Sequence, residues 1–133
     1  MEIKEYNHFR LDEILEFYAS VGWTNYTERA EMLPLAYENS LCVFGAYENS
    51  KLVGIIRAVG DGLSIVFVQD IIVLPQYQRK GIGTKLLKAV IDRFGSVYQM
   101  ELLTDDTEKT KAFYRSVGFA AADEMGCMAF VRM

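Results

Sequence analysis

The stretch of sequence that decides the fold runs from Val73 to Thr84 and reads Val-Leu-Pro-Gln-Tyr-Gln-Arg-Lys-Gly-Ile-Gly-Thr. A long β-branched run, Leu63 to Leu74, leads into it and stops at Pro75, as a strand does. Beyond it, apolar residues recur at helical spacing and mark one face of a helix from about Gly83 to Phe94. These residues are Ile82, Leu86, Leu87, Val90, Ile91 and Phe94. The sequence therefore predicts a strand, a short polar loop and a helix.

The polar loop has the composition of an anion site. Gly81 and Gly83 let the backbone approach a ligand closely, because they carry no side chain. The free N–H groups at the start of the following helix, together with its dipole, can hold an anion such as a pyrophosphate. Arg79 and Lys80 add positive charge at the mouth. An ordinary glycine-containing turn between a strand and a helix is the alternative interpretation.

Two common nucleotide-binding motifs do not fit this loop. A Walker loop needs Gly-Lys followed by Ser or Thr, whereas here the order is Lys80-Gly81 and no Gly-Lys pair occurs in the chain. A dinucleotide fingerprint needs a third glycine, whose place Leu86 takes. That fingerprint also follows the first strand of a βαβ array, and several strands are predicted before this loop. Both motifs are excluded.

The remaining patterns predict a mixed sheet flanked by helices. An early strand and an amphipathic helix ending near Val21-Gly22 come first, then a loop over Trp23–Tyr26 and a helical segment that Pro34 either kinks or restarts. Asp105 and Glu108 have the spacing of a capping box at the start of the last helix. The predicted strands are Ile3–Tyr6, Leu41–Tyr47, Leu52–Val59, Leu63–Leu74, Val97–Leu103 and a final pair, Phe119–Ala121 with Met125–Arg132.

Composition narrows the class of protein. With 133 residues and 51% hydrophobic content, we expect one domain over residues 1–133 with its own core. The net charge of −4 argues against nucleic acid as the main partner. No apolar run approaches the roughly 20 residues that cross a bilayer, and the charged first residues do not resemble a secretion signal. We therefore expect a cytoplasmic protein without a membrane partner, with Cys42 and Cys127 reduced.

Two motifs of the chain resemble those of the GNAT superfamily, the acyl-CoA-dependent N-acyltransferases. Gln78-Arg-Lys-Gly81-Ile-Gly83 fits the Q/R-x-x-G-x-G/A signature of that family. Downstream, Phe113-Tyr114 leading to Gly118-Phe119 is similar to its second hallmark, an aromatic-tyrosine helix end followed by Gly-Phe. The two hallmarks occur in the family's order with one predicted strand between them. The order of elements agrees as well, so the resemblance extends over essentially the whole chain.

The resemblance implies an α/β fold with a mostly antiparallel sheet, a splayed strand pair and about four flanking helices. It implies acetyl-CoA as co-substrate, with its pantetheine arm along the backbone of Ile71, Ile72 and Val73. Tyr114 matches the tyrosine whose hydroxyl protonates the departing thiolate. The positions that match the pyrophosphate loop are Gln78, Arg79, Lys80, Gly81, Ile82, Gly83 and Thr84.

A general base is less evident. Some relatives use a glutamate on the fifth strand, and the matching position is Leu102; the adjacent Glu101 would point to the opposite face, because strand side chains alternate. Thr107 stands where relatives often have an asparagine. Asp70 is a polar residue in an apolar run and could orient a water or bind the amine. A solvated strand position is the alternative for Asp70, and an amine can also lose its proton to water.

The acceptor is predicted to be a primary amine, with a small molecule favoured over a protein amine. Trp23 and Tyr26 lie in the loop that lines the acceptor pocket in relatives, although ordinary packing explains them equally well. A histidine-based triad on His8 is improbable, and a single histidine with two separated cysteines offers few ligands for a metal. A coenzyme A-binding module that lacks catalysis is the alternative function. A homodimer is compatible with the sequence.

Overall fold

The computed structural model describes residues Met1–Met133, and the chain divides into two compact units, Met1–Leu102 and Leu103–Met133. The first unit contains a five-stranded sheet with its helices. The second unit contains one α-helix and one 3-10 turn. A single domain over residues 1–133 stays a prediction.

The sheet of the first unit follows chain order, β1-β2-β3-β4-β5. The first four strands pair antiparallel, and β5 pairs parallel with β4. The sheet is thus mixed and mostly antiparallel, as the resemblance implied. The strands are β1 (Glu2–Glu5), β2 (Cys42–Glu48), β3 (Lys51–Gly60), β4 (Ile65–Val73) and β5 (Gln99–Leu102).

Helices cover both faces of this sheet. The predicted helix after the polar loop forms and buries Ile82, Leu86, Leu87 and Val90. It packs closely on β3, since a Cβ added at Gly54 would lie 3.1 Å from Leu86 and 3.2 Å from Ile82. The helices are α1 (Leu11–Ser20), α2 (Thr24–Thr27), α3 (Leu33–Glu38), α4 (Ile82–Arg93) and, in the second unit, α5 (Glu108–Ser116).

The core on the other face contains residues of α1 and α3 packed on the central strands. Most of β3 is buried on both faces, which explains why its sequence is a nearly continuous apolar run rather than an alternating one. None of the helices has the length and apolar character that crossing a bilayer requires. The buried cluster comprises Ile14, Phe17, Tyr18, Leu33, Tyr37, Leu52, Ile55, Ile72 and Leu74.

The segment between α1 and β2 differs in detail from the sequence prediction. Within the predicted loop over Trp23–Tyr26, one short helical turn forms at Thr24–Thr27. The helical segment expected next is broken: a 3-10 turn at Ala30–Met32 precedes α3, which has Pro34 in its first turn. Of the two outcomes that Pro34 allowed, a restart is the one observed, because proline is tolerated where the helix needs no N–H donor.

Strand β4 is paired unequally on its two sides. Its ladder with β3 extends from Val66 to Val73, whereas its ladder with β5 covers only Ile65–Val68. A register shift leaves Gln69 as a bulge residue opposite the Arg57–Ala58 step. Residues 69–73 therefore have a strand partner on one side only. This is the splayed pair that the resemblance implied.

The second unit corrects two sequence predictions. Helix α5 is capped by Thr107, whose hydroxyl accepts a hydrogen bond from the Thr110 amide, and not by Asp105. The final strand pair, Phe119–Ala121 with Met125–Arg132, is wrong: Ala122–Met125 forms a 3-10 turn and the following residues form no strand. Strands need partners, and this unit offers none. Phe130 is accordingly 92% exposed.

Candidate functional site

The loop between β4 and α4 has an unusual backbone. Pro75–Tyr77 forms a 3-10 turn, after which Arg79 has φ +64° and Gly81 has φ +81°. Positive φ is ordinary for glycine and uncommon for arginine. A Cβ added at Gly81 would have no atom within 4 Å, so the space beside this residue is open. The loop is held in a left-handed geometry with nothing packed against its glycine.

The start of α4 provides unpaired hydrogen-bond donors. The first intrahelical bond is donated by the Lys85 amide to the Gly81 carbonyl at 3.1 Å. No side chain caps this end of the helix. The amides of Ile82, Gly83 and Thr84 therefore have no helical acceptor. The Ile82 side chain is buried in the core, so this residue can offer a ligand only its backbone.

The charged side chains beside these donors are positive and form no ion pairs. Arg79 and Lys80 are exposed and take part in none of the ion pairs of the structure. The Lys80 ammonium lies 5.4 Å from the centre of the Tyr77 ring. The first turn of α4 contains no acidic residue. Helix dipole, free amides and two cations all favour an anion here.

Gln78 closes the loop onto the strand it follows. Its side-chain amide donates to the Val73 carbonyl at 2.9 Å. Val73 is the last residue of β4 and lies in the segment without a β5 partner. The bond fixes where the loop leaves the strand. It engages both the Gln78 side chain and the Val73 carbonyl, two groups that the sequence assigned to the cofactor.

Asp70 lies at the centre of a buried polar network. Its side chain is 1% exposed, and its Oδ2 accepts hydrogen bonds from Arg57 Nε and from the Tyr18 hydroxyl, each at 2.8 Å. The Tyr37 hydroxyl donates in turn to Tyr18 at 2.8 Å, since the proton of Tyr18 is already directed at Asp70. Arg57 also donates to Ser40 at 3.2 Å. The network joins α1, α3, β3 and β4.

The protonation states in this network are fixed by burial and by the central ion pair. Burial alone would lower the pKa of Arg57, but the carboxylate of Asp70 outweighs it, so that the pKa lies above its ordinary value. Burial and the same carboxylate raise the pKa of Tyr18 far above its ordinary value. Both groups therefore stay protonated. Asp70 Oδ1 is buried without any hydrogen-bond partner, which is uncommon for a carboxylate oxygen.

Trp23 and Tyr26 form an aromatic group with Tyr18. The Tyr18 and Tyr26 rings stack with centroids 4.4 Å apart, and the Trp23 ring lies 6.1 Å from Tyr18. Gln69, the bulge residue of β4, donates to the Tyr26 hydroxyl at 3.0 Å. Trp23 remains 36% exposed. The structure thus packs both predicted acceptor residues beside Tyr18, the hydrogen-bond partner of Asp70, and bonds Tyr26 to the bulge residue that precedes Asp70.

Tyr114 lies near the end of α5, in the second unit. Its ring packs edge-on against Phe113, with centroids 4.9 Å apart, and against Phe119 at 6.1 Å. Burial raises its pKa, while the neighbouring Thr104 side chain acts in the opposite direction. The phenol is therefore protonated at neutral pH. This is the state that a proton donor needs.

The structure offers no fifth-strand carboxylate on the inner face. Burial alternates along β5, with Met100 and Leu102 turned inward and Glu101 exposed. The predicted opposite orientation of Glu101 is thus confirmed. No group of three or more His, Cys, Asp or Glu residues is placed to hold a metal ion.

Sequence analysis missed the partners of Asp70. Arg57 is, like Asp70, a charged residue within a buried apolar strand, and that shared anomaly was the available signal. Tyr18 lies in the predicted amphipathic helix, but neither it nor Tyr37 and Gln69 had an assigned role. No local pattern indicates that a tyrosine hydroxyl turns toward a carboxylate 52 residues away.

The fold and the loop together define a class of protein. A mostly antiparallel sheet with one splayed pair, and a glycine loop opening a helix at the end of the splayed strand, characterise the acetyltransferases of the GNAT family. The sequence model of the Acetyltransferase (GNAT) family matches residues 8–119. The chain belongs to this family.

Solved structures agree with this assignment. A GNAT-family acetyltransferase from Streptococcus pneumoniae is 44% identical, with a TM-score of 0.90 over 99% of this chain and 96% of that chain. An aminoglycoside N-acetyltransferase solved in complex with CoA shares the fold at 20% identity, with a TM-score of 0.74 over 99% of this chain and 93% of that one.

Curated relatives are more distant and longer. A chloroplastic GCN5-related N-acetyltransferase from Arabidopsis thaliana is 24% identical over 92% of this chain, which spans 62% of that protein. An uncharacterized N-acetyltransferase from Pyropia yezoensis is also 24% identical, over 87% of this chain and 66% of its own length. The chain thus spans slightly less than two thirds of these two relatives.

Proposed function

We propose that this protein transfers an acetyl group from acetyl-CoA to a primary amine by direct attack within a ternary complex. One observation supports this most: the amides of Ile82, Gly83 and Thr84 are unpaired beside the open Gly81. This arrangement suits the diphosphate of coenzyme A. A structural neighbour with the same fold was solved in complex with CoA.

The segment of β4 before the loop provides a second element of the proposal. Ile71, Ile72 and Val73 have a strand partner on one side only, so backbone groups on the other side, except the Val73 carbonyl bonded to Gln78, are available to the pantetheine arm. Arg79 and Lys80 would neutralise phosphate charge. Gln78 would act by positioning the loop, because its side chain is engaged with Val73.

The proposed reaction needs one proton to enter and one to leave. The amine nitrogen attacks the thioester carbonyl carbon, a C–N bond forms, and the C–S bond breaks to release a thiolate. Backbone N–H groups stabilise the charge that develops on the carbonyl oxygen. Tyr114 gives its hydroxyl proton to the thiolate, and the proton lost by the amine returns through water to the tyrosine.

Asp70 is proposed to assist the outgoing proton. Its Oδ1 lacks a partner while Oδ2 is occupied by Arg57 and Tyr18. Because the side chain is 1% exposed, a buried water fits this oxygen better than the amine itself. Trp23 and Tyr26 would present ring faces to the acceptor, which attract ammonium groups.

The proposal is tested in two stages. Calorimetric titration with acetyl-CoA should show saturable binding, and its absence would refute the assignment of the loop. Thiol release is then measured against a panel of small amines and peptides, with mass spectrometry of the products to identify the acceptor. The sole tryptophan, Trp23, should change its fluorescence when the acceptor binds.

Tyr114→Phe separates catalysis from binding. It removes only the hydroxyl, so turnover should fall by about 100-fold while acetyl-CoA affinity is unchanged. Tyr98→Phe is the matched control, because Tyr98 is 81% exposed and has no assigned role. An equal loss of turnover and affinity in the Tyr114 variant would remove Tyr114 from the catalytic step.

A coenzyme A-binding module without catalysis is the second candidate. The half-buried Leu102 at the position of the fifth-strand glutamate favours it. Tight acetyl-CoA binding with no thiol release from any amine would support this candidate over the transferase.

A further inference from the structure

A pocket of about 330 Å³ lies in the first unit, and none of its lining residues is assigned to the cofactor or the acceptor. It is formed by the β1–α1 connection, α3 and β2, and β3 separates its strand from β4. Its volume is at the lower end of the range for small-molecule sites. The lining residues are Tyr6, Asn7, Phe9, Pro34, Tyr37, Glu38 and Val43.

The tyrosines of this pocket have their hydroxyl groups engaged elsewhere. The Tyr6 hydroxyl donates to Glu13 at 2.8 Å and accepts from the Arg10 amide at 3.1 Å. The Tyr37 hydroxyl is bonded to Tyr18. Phe9 and Tyr37 pack with ring centroids 5.1 Å apart at 46°. What the two tyrosines can offer a ligand is therefore their rings and not their hydroxyls.

The charge at the pocket is negative. Glu38 is exposed, lines the pocket and belongs to none of the ion pairs of the structure. No lysine, arginine or histidine lines it. The Arg57 guanidinium lies over the Tyr37 ring, 5.1 Å from its centre, so the ring faces free for a ligand are those of Tyr6 and Phe9; Asp70 balances the charge of Arg57 at 2.8 Å. Aromatic faces beside one free carboxylate favour a cation.

We propose that this pocket binds a small organic ammonium ion, at a site separate from that of the acetyl transfer. The rings of Tyr6 and Phe9 contact the ammonium group and the apolar body of the ligand, while the Tyr37 ring, which carries Arg57 over it, forms part of the pocket wall. Glu38 pairs with the ammonium, and the Asn7 amide adds a neutral hydrogen bond. The inference does not depend on acetyl-CoA binding, and the two can fail independently.

The experiment titrates the full chain with phenethylamine, which is protonated at neutral pH, and follows backbone and side-chain amides by ¹H–¹⁵N NMR. The neutral analogue 2-phenylethanol has the same ring and length. We expect phenethylamine to shift the amides of Asn7, Phe9 and Val43, with saturation, and the alcohol to bind at least about tenfold more weakly. Equal binding of the two compounds, or shifts centred on other residues, would overturn the proposal.

Single substitutions test which side chains of the pocket contact phenethylamine. Glu38→Gln should weaken phenethylamine about tenfold, whereas Glu16→Gln, an exposed position that does not line the pocket, should have no effect. Tyr37→Phe keeps the ring and should bind normally, while Phe9→Leu removes a ring and should weaken binding. If Glu38→Gln and Glu16→Gln behave alike, the proposed carboxylate–ammonium pair does not exist. The circular dichroism spectrum and the unfolding midpoint in urea of each variant check that the fold is intact.

Discussion

The Asp70 network and the loop that begins α4 differ in whether their polar groups have hydrogen-bond partners. Around Asp70, the polar groups are buried and bonded to one another, with Arg57 and Tyr18 both donating to a single carboxylate oxygen. In the loop that begins α4, the amides have no partner and the cations are exposed. The first region uses its hydrogen bonds to fix the bulge of β4. The second keeps its donors available, and this is where a ligand should bind.

The comparison predicts that stability depends on the network and ligand affinity on the loop. The exception is Asp70 Oδ1, the buried atom without a partner. A water molecule bound to Oδ1 would give this atom a partner and complete the hydrogen bonds of the network. Single substitutions in the two regions test this division.

Asp70→Ala should destabilise the protein most. It leaves the Arg57 guanidinium, which is 5% exposed, without its counter-charge, and breaking a buried pair in this way costs about 3–5 kcal/mol. The measurement is the free energy of unfolding in urea. Glu5→Ala is the control: it breaks the half-exposed pair with Arg93 and should cost about 1 kcal/mol or less. Equal costs for both variants would show that the Asp70 network does not carry the stability assigned to it.

Tyr18→Phe should be the next largest. The hydroxyl donates to Asp70 and accepts from Tyr37, so its loss leaves the Tyr37 hydroxyl unpaired and should cost about 2 kcal/mol of unfolding free energy. Tyr98→Phe, at an exposed tyrosine, should leave stability unchanged. Acetyl-CoA affinity should be the same in both variants. A selective loss of affinity in Tyr18→Phe would place the network in the ligand site and contradict the division.

The sequence could predict the loop better than the network because the signals of the loop are local. Helical spacing from Ile82 to Val90 and the two glycines lie within one short stretch, and the structure buries the predicted face of α4. The Asp70 network depends instead on the pairing register of β3 and β4. An uninterrupted hairpin that pairs Ala58 with Val68 would place Gln69 opposite Arg57, and only the bulge brings Asp70 there. Nothing local in the sequence indicates that one-residue shift.

The wrongly predicted C-terminal strand pair shows a second limit of prediction from local sequence patterns. Residues 125–132 contain apolar and aromatic side chains that favour a strand, yet strand formation also requires a partner at the right position. Gly126, at φ +77°, ends the 3-10 turn where a strand was expected. Thr107 outcompetes Asp105 as the cap for a comparable reason, since the backbone path and not the residue type decides which side chain reaches the Thr110 amide.

Gly81→Ala separates stability from affinity within the loop. Gly22 provides a matched control, because both residues have positive φ, +81° and +75°, and an added Cβ would meet no atom within 4 Å at either. Each substitution should therefore cost about 1 kcal/mol of unfolding free energy. Only Gly81→Ala should also weaken acetyl-CoA, by about tenfold, because its methyl group occupies the space proposed for the diphosphate. A similar affinity in the two variants would dissociate the loop from the cofactor.

The two cysteine thiols show the same contrast between a buried and an exposed group, and the change expected there, in the rate of thiol labelling, is the smallest. Cys42 is buried on β2, and burial raises its pKa to about 11, so that about one molecule in a thousand carries its thiolate at pH 8. Cys127 is exposed. A thiol-reactive disulfide reagent should therefore label one cysteine quickly in the native protein and two after denaturation. Cys127→Ser should abolish the native reaction; rapid labelling that persists in this variant would mean that β2 opens far more readily than its burial implies.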